Sequence, residues 1–182
     1  MDSIVHTQTH SITDPVIVRN IAAEMTTAKK LLVFSLAYDA TLWDSLTTEN
    51  TYFVENNEAH IAMSDTIDPK RIIHCDYGSI TVARSFTMTG QEVDAIPIPS
   101  SLLKEAPFDV IFVNGPLSYN ASCPGRLLPL LWSRTLLSKS GTVVYVDDSD
   151  RQLESLCIEQ FFGDCDQKRL GVRGGCMRIV IP

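Results

Sequence analysis

Apolar residues along this chain fall into two alternating patterns, short unbroken runs and longer stretches at helical spacing. The runs over 31–36 (LLVFSL), 108–113 (FDVIFV) and 141–146 (GTVVYV) suit parallel strands buried on both faces. A further strand is predicted over 51–54, ending on Glu55, another over 71–75 and a short closing one over 177–181. Helical patterns fill the gaps. Residues 14–30 open with Asp14 as N-cap and Pro15 at the first helical position, and set Val16, Ile17, Ile21, Ala22 and Met25 on one stripe, which predicts a flanking helix or lid. Further helices are predicted over 41–46, 56–63, 126–137 and 151–162, while Pro97, Pro99 and Pro107 mark 76–107 as polar and then irregular. Strands alternating with helices predict an α/β, Rossmann-like three-layer sandwich with a mostly parallel sheet and helices on both faces. Ligands of such sheets sit beyond the carboxyl ends of the strands, where the strand order reverses.

Composition narrows this picture. The 182 residues suit one domain over 1–182, with 1–13 as a flexible polar tail. At 45% hydrophobic and 20% charged, the chain has the makings of a core and lacks the signature of disorder. A formal charge of -7 without a Lys/Arg cluster argues against binding a phosphate backbone, so a small-molecule substrate is expected rather than nucleic acid. Cys75, Cys123, Cys157, Cys165 and Cys176 include no C-x-x-C pair, and the consecutive His74, Cys75 and Asp76 cannot converge on one ion from a strand, so no metal is expected. No leader pattern and no apolar run of roughly 20 residues occurs in the sequence, from which a cytoplasmic protein without a membrane contact is expected. Oligomeric state is left open.

The candidate chemistry clusters after the first strand. Small residues at Ser35, Ala37 and Ala40 would let backbone approach a ligand, and Tyr38 and Asp39 lie between them. Glu55 follows about 20 residues after the turn, the spacing at which a strand-end carboxylate reaches the hydroxyls of a ribose. The G-x-G-x-x-G fingerprint is absent, which disfavours a pyrophosphate on the helix N-terminus and favours a nucleoside without phosphates. S-adenosyl-L-methionine is such a ligand. Equally, Glu55 could cap the helix that follows it, Asp39 could be only an N-cap, and Tyr38 and Trp43 could be rim or core aromatics.

Two blocks carry a family resemblance. The run LLVFSLAYDATLWDSL with TYFVENNEAHIA, and the later FDVIFVNGPLSYNASCPGRLLPLLWSRTLLSKSGTVVYVDDSDRQLE, resemble the polysaccharide-biosynthesis methyltransferases that include the plant glucuronoxylan 4-O-methyltransferases, over residues 14–162. That resemblance implies a Rossmann-like fold of the class I S-adenosylmethionine-dependent methyltransferases, with cofactor contacts at Ser35, Ala37, Tyr38, Asp39, Glu55 and Asn114. It also implies substrate contacts at Tyr119 and Arg126 and proton handling near Asn114, Asp147 and Asp148. The family's first loop reads Gly-x-Gly-His-Asp-Ser, so this chain replaces both glycines and the histidine; its strand-four aspartate is Asn114 here, and its later His-Asp pair is Asp147-Asp148.

Methyl transfer demands alignment of nucleophile, methyl carbon and leaving sulfur, and a hydroxyl acceptor also needs a base, for which Asp147 and Asp148 are better candidates than His74. The reading is an S-adenosylmethionine-dependent transferase, methylating a hydroxyl or carboxylate of a small molecule. The departures keep two alternatives open: an enzyme that transfers or cyclises the aminocarboxypropyl arm, and a non-catalytic binding protein on a decayed methyltransferase fold. Asp147 and Asp148 could also simply cap the next helix, and Arg126 could simply brace its loop through backbone carbonyls.

Overall fold

A computed structural model describes residues 13–36, 38–136 and 141–182. Helix α1 (Pro15–Met25) precedes strand β1 (Leu31–Phe34), and α2 (Ala40–Ser45) leads into β2 (Thr51–Glu55). Then come α3 (Glu58–Ala62), β3 (Ile72–His74) and three short helices, α4 (Val82–Ser85), α5 (Gly90–Asp94) and α6 (Ser100–Glu105). The chain continues through β4 (Val110–Val113), α7 (Leu127–Leu136), β5 (Val143–Asp147), α8 (Gln152–Phe162), β6 (Asp166–Leu170) and β7 (Cys176–Val180).

The described strands form one sheet in the order β3-β2-β1-β4-β5-β7-β6. The first five run parallel, and β7 inserts antiparallel between β5 and β6. Successive side chains on a strand point to opposite faces, and here both faces are covered. Leu32, Phe34, Ile111, Val113, Val144 and Val146 pack with Leu130 and Trp132 of α7 and Ile158 and Phe162 of α8. Leu31, Val33, Val110, Phe112, Val143 and Tyr145 pack on the other side with Ile17 and Ile21 of α1 and Trp43 of α2. Two buried faces explain why these strands read as unbroken apolar runs. The fold is the Rossmann-like three-layer sandwich that the sequence predicts.

Three elements differ from expectation. Helix α1 stops at Met25 rather than reaching residue 30, because the hydroxyls of Thr26 and Thr27 donate back to the Ala23 and Glu24 carbonyls and compete with continued helix. The stretch predicted irregular holds α4 to α6, two of them started by threonine caps; Thr89 and Glu92 form a reciprocal capping box at α5. Strand β6 lies at the sheet edge with Asp166 to Arg169 exposed, so no apolar pattern announces it. Residues 1–12 of the tail predicted over 1–13, Ala37 and the end of the 126–137 helix at Leu137 lie outside the described residues, while Thr13 is buried and bonded to Asp39.

Candidate functional site

The sheet order reverses between β1 and β4, and the in-register parallel pairing brings the carboxyl ends of β1, β2, β4 and β5 to one level. A cleft of about 810 Å³ opens there, lined by Ser35, Glu55, Asn114 and Asp147, one from each of those strand ends. Its volume falls in the roughly 300–1,000 Å³ range of small-molecule and cofactor sites.

The turn after β1 is under backbone strain. Ser35 has φ +147° and Tyr38 φ +44°, torsions that favour glycine. The loop after β4 packs directly on it: the Gly115 amide donates to the Phe34 carbonyl, and a Cβ at Gly115 would stand 2.9 Å from that oxygen and 3.1 Å from the Ser35 Cβ. The backbone at 35 thus has a torsion suited to glycine while carrying a hydroxymethyl group. Tyr38 is 84% exposed at the mouth, its ring 6.4 Å from that of His60. Trp43, in contrast, is core, packed 5.0 Å from the Phe112 ring.

Asp39 occupies the N-cap position of α2, yet its carboxylate makes no capping bond there. It is buried and accepts from the Thr13 amide (2.8 Å) and hydroxyl (2.7 Å), tying the chain ahead of α1 to the cleft. Glu55 is also buried and does not cap α3, which Asn57 caps through the Ala59 amide. Its Oε1 accepts from the amides of Asn56 and Asn57, each at 2.9 Å. Its Oε2 accepts from the Leu36 amide at 2.9 Å and meets His60 Nδ1 at 3.3 Å. The second strand end is therefore anchored to the first loop through this carboxylate.

On the opposite wall Arg126, only 3% exposed, donates from Nη2 to the Asn114 carbonyl (2.6 Å) and to Asp148 Oδ2 (3.1 Å), and from Nη1 to the Asp147 carbonyl. Its Nε lies 4.0 Å from Glu154 of α8, a fully buried carboxylate. Arg126 lines the cleft, but these bonds make it a brace between the ends of β4 and β5. Asp148, at φ +51°, is shared between Arg126 and Arg151, the latter at 2.9 Å. Neither Asp147 nor Asp148 caps α8, whose N-cap residue is Arg151. Burial pushes the Asp147 carboxyl above the usual carboxylate range; the Arg126 charge opposes the shift and Asp148 adds to it.

Asn114 lines the floor and Tyr119 the rim, where it is two-thirds exposed beside Leu117. His74 is not among the residues lining the cleft. It is exposed on edge strand β3 and lines a separate shallow groove with Asp65 and Ile67. Sequence reasoning overlooked Thr13, His60, Tyr77 and Ser118, all on the cleft wall. Only His60 left a signal, standing a few residues beyond Glu55 on the helix that follows β2. Tyr77 stacks on Trp132 with ring centroids 6.1 Å apart, and burial pushes its phenol well above the usual range. Among the described residues no three His, Cys, Asp or Glu side chains are grouped to hold a metal, the five cysteines are free, and no helix is long and apolar enough to cross a membrane.

The fold is similar to that of methyltransferases of known structure. CalS10, an amino pentose methyltransferase from Micromonospora echinaspora solved with S-adenosylmethionine, aligns with a TM-score of 0.57 at 10% identity, covering 92% of this chain and 89% of that one. The Podospora anserina methyltransferase PaMTH1, solved with S-adenosylhomocysteine, aligns at 0.53 and 15% identity over 94% and 80%. The Thermus thermophilus 16S rRNA methyltransferase RsmC, solved with S-adenosylmethionine and guanosine, aligns at 0.52 and 12% identity over 94% and 44%. In sequence, the chain is similar to Protein IRX15-LIKE of Arabidopsis thaliana, 30% identical in an alignment that covers 72% of this chain and 49% of the relative. The chain spans about half the length of the curated relatives it matches. No family model matches it.

Proposed function

We propose that the cleft binds S-adenosyl-L-methionine and that the protein methylates a hydroxyl or carboxylate of a small molecule. Glu55 carries this reading: a buried carboxylate at the carboxyl end of the strand beside the switch point, facing a cleft of nucleoside size. The residues fit the cofactor in two respects. Glu55 presents a buried carboxylate whose Oε2 can accept a ribose hydroxyl once a protein partner is displaced, and the turn at Ser35, on the cleft wall, has a torsion suited to glycine. The similar folds solved with S-adenosylmethionine or S-adenosylhomocysteine support the same choice.

The cofactor supplies an electrophilic methyl group on a sulfonium. The chain's own residues must hold the acceptor in line and take its proton if it is a hydroxyl. Asp147 suits the base better than Asp148, because Asp148 is committed to Arg126 and Arg151 while Asp147 lines the cleft with a raised proton affinity. Asn114 accepts Arg126 through its carbonyl, which leaves its side-chain amide as a polar contact on the same wall. Tyr119 on the rim is assigned to the acceptor, and Arg126 to bracing the strand ends that frame it. A small acceptor accords with the acidic charge, although the fold also serves an rRNA methyltransferase. Titration calorimetry with S-adenosylmethionine and S-adenosylhomocysteine tests the reading: heat from both is expected, and none from either refutes it.

One observation favours a second reading, a non-catalytic binding protein: every strong acceptor direction of Glu55 is taken by protein groups. That reading expects no S-adenosylhomocysteine binding at any pH.

A further inference from the structure

A carboxylate offers about four lone-pair directions, and Glu55 has four partners: the amides of Leu36, Asn56 and Asn57, and the imidazole of His60. A ribose hydroxyl donating to Glu55 must displace one of them. The three amides belong to backbone fixed by the strand ends. His60 is the movable partner, its side chain about a third exposed and its bond to Oε2 the longest of the four at 3.3 Å. It sits on the five-residue α3, which buries none of its side chains, and it lines the cleft next to Tyr38.

Resting on the cofactor reading above, we propose that His60 is a gate: it occupies the ribose-binding oxygen of Glu55 in the ligand-free protein and must swing away for the nucleoside to bind. The contact is an ion pair when the imidazole is protonated and a single hydrogen bond when it is neutral; in either form it holds the oxygen that a ribose hydroxyl would take.

The experiment is calorimetric titration of S-adenosylhomocysteine into wild type, His60→Ala and His60→Asn. Removing a partner that the ligand must displace is expected to tighten binding by both variants about fivefold over wild type, roughly the worth of one displaced hydrogen bond. Binding by His60→Ala that equals wild type or is weaker overturns the gate while leaving the cofactor reading intact. No binding by wild type or either variant overturns the cofactor reading, and the gate with it. Thermal unfolding of the three proteins without ligand identifies a variant that fails to fold; His60→Asn then decides the question.

Discussion

Replacing Ser35 by glycine isolates the strain in the first loop from every question about ligand. Ser35 holds φ +147°, in the range that side-chain-bearing residues avoid. A non-glycine residue in such a torsion costs on the order of 1–3 kcal/mol. Glycine relieves that cost but adds unfolded-state freedom worth roughly 0.5–1 kcal/mol against folding. The difference leaves Ser35→Gly more stable by about 1 kcal/mol, which for a domain of this size corresponds to a rise of roughly 2–4 °C in Tm. Urea unfolding and differential scanning calorimetry measure both quantities on the ligand-free protein. The neighbouring Gly115, whose hypothetical Cβ lies 3.1 Å from that of Ser35, shows how closely the two loops pack, so removing the hydroxymethyl group also loosens this contact. Tighter S-adenosylhomocysteine binding by the same variant is expected if the side chain narrows the cleft. A Ser35→Gly protein destabilised by 1 kcal/mol or more (about the size of the expected gain) would refute the reasoning, since the serine would then be held by contacts worth more than its strain.

Arg126→Met is expected to destabilise the fold by about 3–5 kcal/mol, because it strands buried Glu154, and the double variant Arg126→Met/Glu154→Met should recover most of that loss in chemical denaturation. For Asp147 the sign follows from its raised proton affinity. Folding binds its proton more tightly, so this stabilising contribution is full below the unfolded-state value and is lost as pH rises through the folded one. Asp147→Asn should therefore gain stability at pH 7 relative to wild type, with the difference shrinking in acid, while transfer to a hydroxyl acceptor, read as S-adenosylhomocysteine formed, falls by on the order of 10²-fold or more. Burial raises the thiols of Cys75 to about 11 and Cys157 to about 12, so neither should be alkylated by iodoacetamide in the native protein at pH 7; rapid labelling of either by mass spectrometry would show that α8 or the end of β3 opens.

How much of this was legible in the sequence depends on how many faces an element buries. Strands β1, β4 and β5 announced themselves because both of their faces are apolar, whereas β6, exposed along Asp166 to Arg169, offers no contrast between faces. Helix α5 carried a readable signal, Thr89 followed three residues later by Glu92, that the surrounding prolines obscured. At the site, Glu55 was legible from its spacing after the first loop. Its bond from the Leu36 amide was not, since that amide reaches it only when β1 and β2 pair in register. Asp39 shows the same limit: its partner Thr13 is 26 residues away, and no local pattern links them. Arg126 could be read from sequence either as a ligand contact or as a brace. Its bonds to the Asn114 and Asp147 carbonyls, which bring together the ends of two strands, favour the brace.

We propose that Glu55 receives the ribose of S-adenosylmethionine in the cleft over β1, β2, β4 and β5. A crystal structure of the protein grown with S-adenosylhomocysteine tests it most directly. The nucleoside is expected in that cleft, with a ribose hydroxyl within hydrogen-bond distance of Glu55 Oε2 and the His60 ring moved off it. A ligand seated elsewhere, or a cleft without ligand at saturating concentration while Glu55 keeps all four of its protein partners, would contradict it.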